Sequence, residues 1–175
     1  MAAPTTPLPA DPPNGDERET LERFIDYYRA VLVRKAEGIT DEEAQRPACP
    51  PSDLTILGVV RHMADVERSW FRRGVAGEDA PPRFYGPAHP EGDHDGDFHP
   101  PPTATLDEAI AAFAEEVAAA RAVQASVASL DALEAREHPE VRNLRWILVH
   151  MIEEYARHCG HLDLLRQAID GTTGD

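Results

Sequence analysis

His150, Glu154, His158 and His161 recur at intervals of four, four and three within the segment HMIEEYARHCGH. On a helix turning about 100° per residue they span roughly 80° of arc, and Ile147, Met151, Leu162, Leu165 and Ile169 share or border that arc. Ligand-type side chains are thereby aimed at a core, where an ionisable group is costly unless it is paired, hydrogen-bonded or bound to metal. Glu154 and His158 stand one turn apart and can grip one ion. His62, on the shoulder of an apolar face upstream, is the candidate third ligand. A Lewis-acid centre needs about three His or carboxylate ligands and one position left open. Singly, each residue also has an ordinary explanation: His62 as a hydrogen-bonded rim histidine, Glu154 as one end of a surface pair with Arg157 or Arg61. His150 and His161, nearer the edge of the stripe, are candidates to orient those ligands or to replace one, His161 being the stronger rival.

Other metal patterns fit less well. An HExxH zinc helix requires Glu directly after the first His, but Met151 follows His150. A di-iron helix of the Glu-x-x-His type requires a carboxylate where Tyr155 stands. His89, His94 and His99, among Asp93, Asp95 and Asp97, read as a polar lid with at most weak affinity for divalent ions. Cys159 points about 100° away from His158 and reads as a packed thiol. There is no GxSxG, P-loop or dinucleotide fingerprint.

Four helices account for the positioning of these groups. The spacing of Leu21, Phe24, Ile25, Tyr28, Val31 and Leu32 predicts a first helix from Asp16, closed at Gly38. Residues 39–51, with Pro47, Pro50 and Pro51, read as a turn-rich connection. Ser52 or Asp53 caps a second helix running to about Ala76, whose apolar face is Leu54, Ile56, Val59, Val60, Met63, Val66, Trp70 and Phe71. Residues 77–102 are rich in proline and glycine and form a long loop, of a kind that is usually functional or mobile. Thr105 and Glu108 make a capping box for a third helix to about Leu130. The fourth runs from about Val141 to Ile169 and stops at Gly171. With no strand pattern, the expected fold is all-α: an antiparallel four-helix bundle with a long loop between helices 2 and 3.

Length and charge narrow the function. The chain has 175 residues, enough for one domain of common size, expected over 16–175 after a proline-rich leader at 1–15. Thirty-two acidic against 17 basic side chains give a formal charge of −15, which disfavours nucleic acid and anionic membranes as partners. No basic n-region or long apolar run appears, so a cytoplasmic location is expected. Cys49 and Cys159 are too few for a disulfide framework. Arg61, Arg72, Arg73 and Arg83, on or after helix 2, are candidates to recognise substrate carboxylates. Tyr85 is a candidate pocket residue, and Trp70 reads as core filling.

The segments LGVVRHMADVERSWF (58–71) and LRWILVHMIEEYARHCGHLDLLRQAIDGTTG (144–174) resemble the DinB-like superfamily, in its DUF664 branch related to mycothiol-dependent enzymes. The resemblance covers most of residues 20–174. It implies a four-helix bundle, often homodimeric, holding a divalent metal through one residue of helix 2 and two of helix 4; the matching positions are His62, Glu154 and His158. His161 stands where many relatives carry Gln. It further implies thiol transfer or thiol-assisted isomerisation, with zinc the usual metal and Ni, Fe or Mn alternatives, and with mycothiol as thiol co-substrate. A metal-bound thiol deprotonates at neutral pH and can attack an electrophilic carbon. The expected activity is therefore that of a metal-dependent thiol S-transferase acting on a small electrophile. Two other readings stay open: a metal-dependent small-molecule hydrolase, and a non-catalytic dimeric metal-binding stress protein.

Overall fold

Asp16 opens the first helix by accepting the Glu19 backbone N–H, and α1 then runs Glu17–Ala36 with two acidic residues in its first turn, where the helix dipole favours them. In the computed structural model, residues 5–10, 14–86, 95–137 and 139–174 are described. A one-turn helix follows, α2 (Asp41–Ala44), closed by a reciprocal Thr40/Glu43 capping box; the connection expected at 39–51 is thus helical at its start. Ser52 and Asp53 do not cap the next helix. The Ser52 N–H donates to the Cys49 carbonyl in a turn, and Thr55 takes over as cap for α3 (Ile56–Glu67).

α3 does not end as an ordinary helix. Residues Arg68–Val75 continue it as π1, a wider π-helical winding, whose last bond runs five residues back from the Ala76 N–H to the Phe71 carbonyl at 2.9 Å. Such windings are rare and frequent near functional sites. This one buries Phe71 completely and leaves Trp70 half-buried beside His62 in a cleft wall. Trp70 therefore packs against the core, as expected, and also lines the cleft.

α4 (Leu106–Ser126) starts with the Thr105/Glu108 capping box and stops before the expected Leu130. There the backbone turns extended at Val127, and Arg18 of α1 donates to the Val127 carbonyl at 2.9 Å, satisfying a helix end. α5 (Leu144–Asp170) begins at Asn143, whose side chain accepts the Trp146 N–H, and ends at left-handed Gly171. Val141 and Arg142 stay outside it because Asn143 bridges to Leu133 and the Arg142 carbonyl accepts from Glu134 at 2.8 Å.

The chain is all-helical; among the described residues the Leu133–Asn143 bridge is the one β-type pairing. α1 packs along α5 and α3 along α4, with Ile25, Leu32, Ile56, Val60, Met63, Phe71, Leu148, Met151 and Leu162 fully enclosed. No described helix is long and apolar enough to cross a membrane.

One polar knot lies inside this core. Glu67, with no exposed surface, takes two parallel hydrogen bonds of 2.8 Å from Arg29 Nε and Nη2 and a short one from the Tyr155 hydroxyl. Arg29 also reaches Asp26 at 2.9 Å. Burial alone would lower the Arg29 pKa; the Glu67 carboxylate overrides it and holds the guanidinium above its ordinary value. Burial, then the same carboxylate, push the Tyr155 phenol well up. The knot ties α1, α3 and α5 together. Removing Glu67 leaves buried Arg29 with the partly exposed Asp26 as its remaining carboxylate, so Glu67→Ala should cost about 3–5 kcal/mol in chemical denaturation, and an unchanged midpoint would refute the role given to the knot. Thr105→Ala removes a cap and should cost about 1 kcal/mol by the same measurement.

Candidate metal centre

α3 and α5 each contribute to one group of donors. His62 sits past the apolar run of α3, and Glu154 and His158 share a face of α5. One ligand atom from each of the three lies within 4.8 Å of the other two. The imidazoles of His62 and His158 are 4.6 Å apart, centroid to centroid, tilted by 50°. His158 Nε2 is 3.5 Å from Glu154 Oε2. Two donors each about 2.1 Å from a tetrahedral zinc ion stand about 3.4 Å apart, so this pair has the separation such an ion requires with little movement.

The other nitrogen of each imidazole is also engaged. His62 Nδ1 lies 2.7 Å from Asp97 Oδ2, which leaves Nε2 as the free donor. His158 Nδ1 is 3.4 Å from His161 Nδ1. His161 therefore stands behind His158, on its far side from Glu154. His150 does the same for the carboxylate: its Nε2 is 3.2 Å from Glu154 Oε1. The His150 ring is stacked on Trp146 at 5.0 Å and meets Trp70 edge-on at 4.7 Å.

Only His158 of the α5 stripe is buried; His150, Glu154 and His161 are half-buried. The stripe thus faces the rim of the core, with His150 and His161 at its edge as expected and Glu154 less buried than a core-facing position implies. Contact with the His158 imidazole comes first in holding the Glu154 carboxyl below the usual carboxylate range, against burial, with His150 and His62 adding to it. Burial lowers the pKa of His150 against the pull of Glu154. Burial, then neighbouring His158 and Arg157, lower that of His161. Both are consequently neutral imidazoles at pH 7, fit to donate or accept one hydrogen bond.

A second group, His150, Glu153 and Glu154, also clusters. All three come from one helix, and Glu153 is exposed and paired with Arg157. The inter-helical group is the better chelate, since rigid elements on two sides fix its spacing.

A cleft of about 250 Å³ opens beside His62, lined by Asp65, Val66, Ser69, Trp70, Tyr85, Asp95, Asp97 and Phe98. Of the residues expected at a substrate site, Tyr85 lines it. Its pKa is raised by burial and then by Asp65, so the phenol stays protonated as a donor. Arg61, Arg73 and Arg83 do not line it. Arg61 is buried over the Phe84 ring at 4.5 Å and donates to the Gly96 carbonyl at 3.2 Å. Arg83 pairs with Glu115 and Glu116 at 2.8 and 3.0 Å, and Arg73 lies in a separate depression with Gly77 and Arg136. Arg72 likewise pairs with Glu78. Cys159 is buried with its thiol 3.8 Å from the Tyr28 carbonyl, as a packed residue.

Asp97 and Phe98 are site residues that spacing did not single out. Asp97 was one acid among several in a polar run; the apolar Phe98 next to it was the one available signal that this stretch returns to the core. His89 and His94 lie outside the described residues, and His99 pairs at 3.6 Å with Asp53, away from the donor group.

Comparison with known proteins gives the fold and the family. No curated protein matches the chain. The crystal structure of a conserved protein from Enterococcus faecalis superposes with a TM-score of 0.62 at 14% identity, covering 91% of this chain and all of that one, which shows the shared fold. The family model for mycothiol-S-transferases matches residues 20–171. With the fold and most of the sequence in register, the chain belongs to the mycothiol-S-transferase family, a DinB-like family.

Proposed function

We propose that this protein is a thiol S-transferase that joins a low-molecular-weight thiol of the mycothiol kind to a small electrophile, with a divalent cation, zinc by preference, held by His62, Glu154 and His158. The observation that carries this reading is the convergence of two imidazoles and one carboxylate from two helices, one of them, His62, lining a cleft. That donor set is one that zinc accepts while keeping a position open. When bound, the cation supplies positive charge that lowers the pKa of a thiol beside it, so that a thiolate is present at neutral pH.

The remaining work falls to the chain. The thiol proton passes to solvent, the sulfur lone pair forms a carbon–sulfur bond, and the leaving group departs with its bonding pair. Trp70, Val66 and Phe98 give the cleft apolar walls that reduce the water around the reacting atoms. The Tyr85 phenol, kept protonated by burial, is placed to hydrogen-bond the electrophile or its leaving group. His150 and His161, neutral and adjacent to Glu154 and His158, hold those side chains in orientation.

Elemental analysis of protein purified without chelator should find close to one zinc per chain, and His158→Ala should reduce it to background with its helical circular dichroism retained. Full occupancy in that variant contradicts the assignment. With an activated aryl halide as electrophile, substrate consumption should require added mycothiol and fall at least about 100-fold in His158→Ala. Consumption at the same rate without thiol would replace transfer by hydrolysis, and no consumption under any condition would favour a binding protein.

A further inference from the structure

An imidazole offers a metal one nitrogen, and the partner of its other nitrogen decides which. His62 Nδ1 has such a partner in Asp97, 2.7 Å away. Asp97 is 4% exposed, although its neighbours Asp95 and His99 are exposed. Its second oxygen accepts the Phe98 backbone N–H at 3.1 Å. Burying a carboxylate this deeply is costly without compensation, and the compensation is His62, with the Arg61 charge in range to one side.

The backbone carrying Asp97 is fastened at three points. Arg61 Nη2 donates to the Gly96 carbonyl at 3.2 Å. The Phe98 ring stacks on His62 with centroids 4.2 Å apart and planes 22° from parallel. The Phe98 carbonyl presses so closely on α3 at Gly58 that a Cβ there would lie 2.5 Å from its oxygen. All three fastenings are to α3 within one turn of His62. A loop residue with no role at the site would not need them.

We propose that Asp97 is a positioning residue of the metal centre: it accepts the Nδ1–H of His62, fixes that tautomer, and presents Nε2 toward Glu154 and His158. The segment 95–98 is then a working part of the centre as well as a wall of the cleft. This rests on the metal reading given above.

The test is zinc titration of chelator-treated full-length protein against a competing chromophoric chelator, for the wild type, Asp97→Asn, Gly58→Ala and His158→Ala. Alongside it, the ring ¹⁵N shifts of His62 are read by NMR in the metal-free protein. Asp97→Asn keeps the shape but weakens the acceptor, and should lose about 10- to 100-fold in zinc affinity while His62 departs from a pure Nδ1–H tautomer. Gly58→Ala leaves every donor in place but displaces Phe98, and should weaken zinc in the same direction; it serves if Asp97→Asn does not fold. Unchanged zinc affinity and an unchanged tautomer in a folded variant overturn the role of Asp97 while leaving the metal reading intact. A wild type that fails to bind zinc, or a His158→Ala that binds it as well, overturns the metal reading and this proposal with it.

Discussion

The bidentate pairing of Arg29 with Glu67, completed by the Tyr155 hydroxyl, is the interaction on which the geometry of the centre depends. Glu67 lies five residues after His62 on the same helical rod, and Tyr155 lies directly after Glu154. A charged group without exposed surface must keep its partners, because losing one leaves the other buried and unpaired. The relative placement of α3 and α5 is therefore fixed at the level of the donor atoms. A donor set drawn from two helices has only as much precision as the contact that holds them in register, and here that contact is a hydrogen-bonded ion pair within two turns of His62, Glu154 and His158.

Scarce positive charge is spent in the same way elsewhere. In a chain with almost twice as many acids as bases, several arginines serve buried carboxylates or helix ends. Arg68, Arg72 and Arg83 converge on buried Glu116. Arg166 donates to the Lys35 and Glu37 carbonyls at the end of α1, and Arg46 to the Ile169 carbonyl near the end of α5, satisfying groups that helices leave open. The cleft beside His62, by contrast, is lined by Asp65, Asp95 and Asp97. Its field suits a divalent cation and a neutral or hydroxyl-rich ligand better than an anionic one. Of the arginines that a carboxylate-bearing substrate would need, Arg61, Arg72 and Arg83 are engaged elsewhere and Arg73 lies outside the cleft.

Local chemistry made much of this legible in the sequence. The Thr105/Glu108 capping box, the Gly171 stop and the three-and-four spacing of α5 are signals that neighbouring residues complete among themselves, and each has its counterpart in the structure. The stripe of His150, Glu154, His158 and His161 is legible for the same reason. What the sequence hid was long-range or non-periodic. Nothing near Arg29 marks it as the partner of a glutamate 38 residues away, and charged residues on a helix read by default as solvent-facing. The π-helical turn of Arg68–Val75 is too short to impose its own apolar period. In the sequence Asp97 is one acid among Asp93, Asp95 and Asp97; its hydrogen bond to His62 and the docking of Phe98 beside it arise only in the fold. Thr40 and Glu43 did carry a readable box, masked by the prolines that follow.

A cation held by His62, Glu154 and His158 with a position open to sulfur would have a distinctive coordination shell. X-ray absorption at the zinc edge of the zinc-loaded protein, recorded with and without mycothiol, tests for it most directly. The expected shell is two imidazoles and light oxygen scatterers in the free protein, and one added sulfur at about 2.3 Å when the thiol is present. A shell without two imidazoles, or one that no thiol alters, would contradict the proposed metal site.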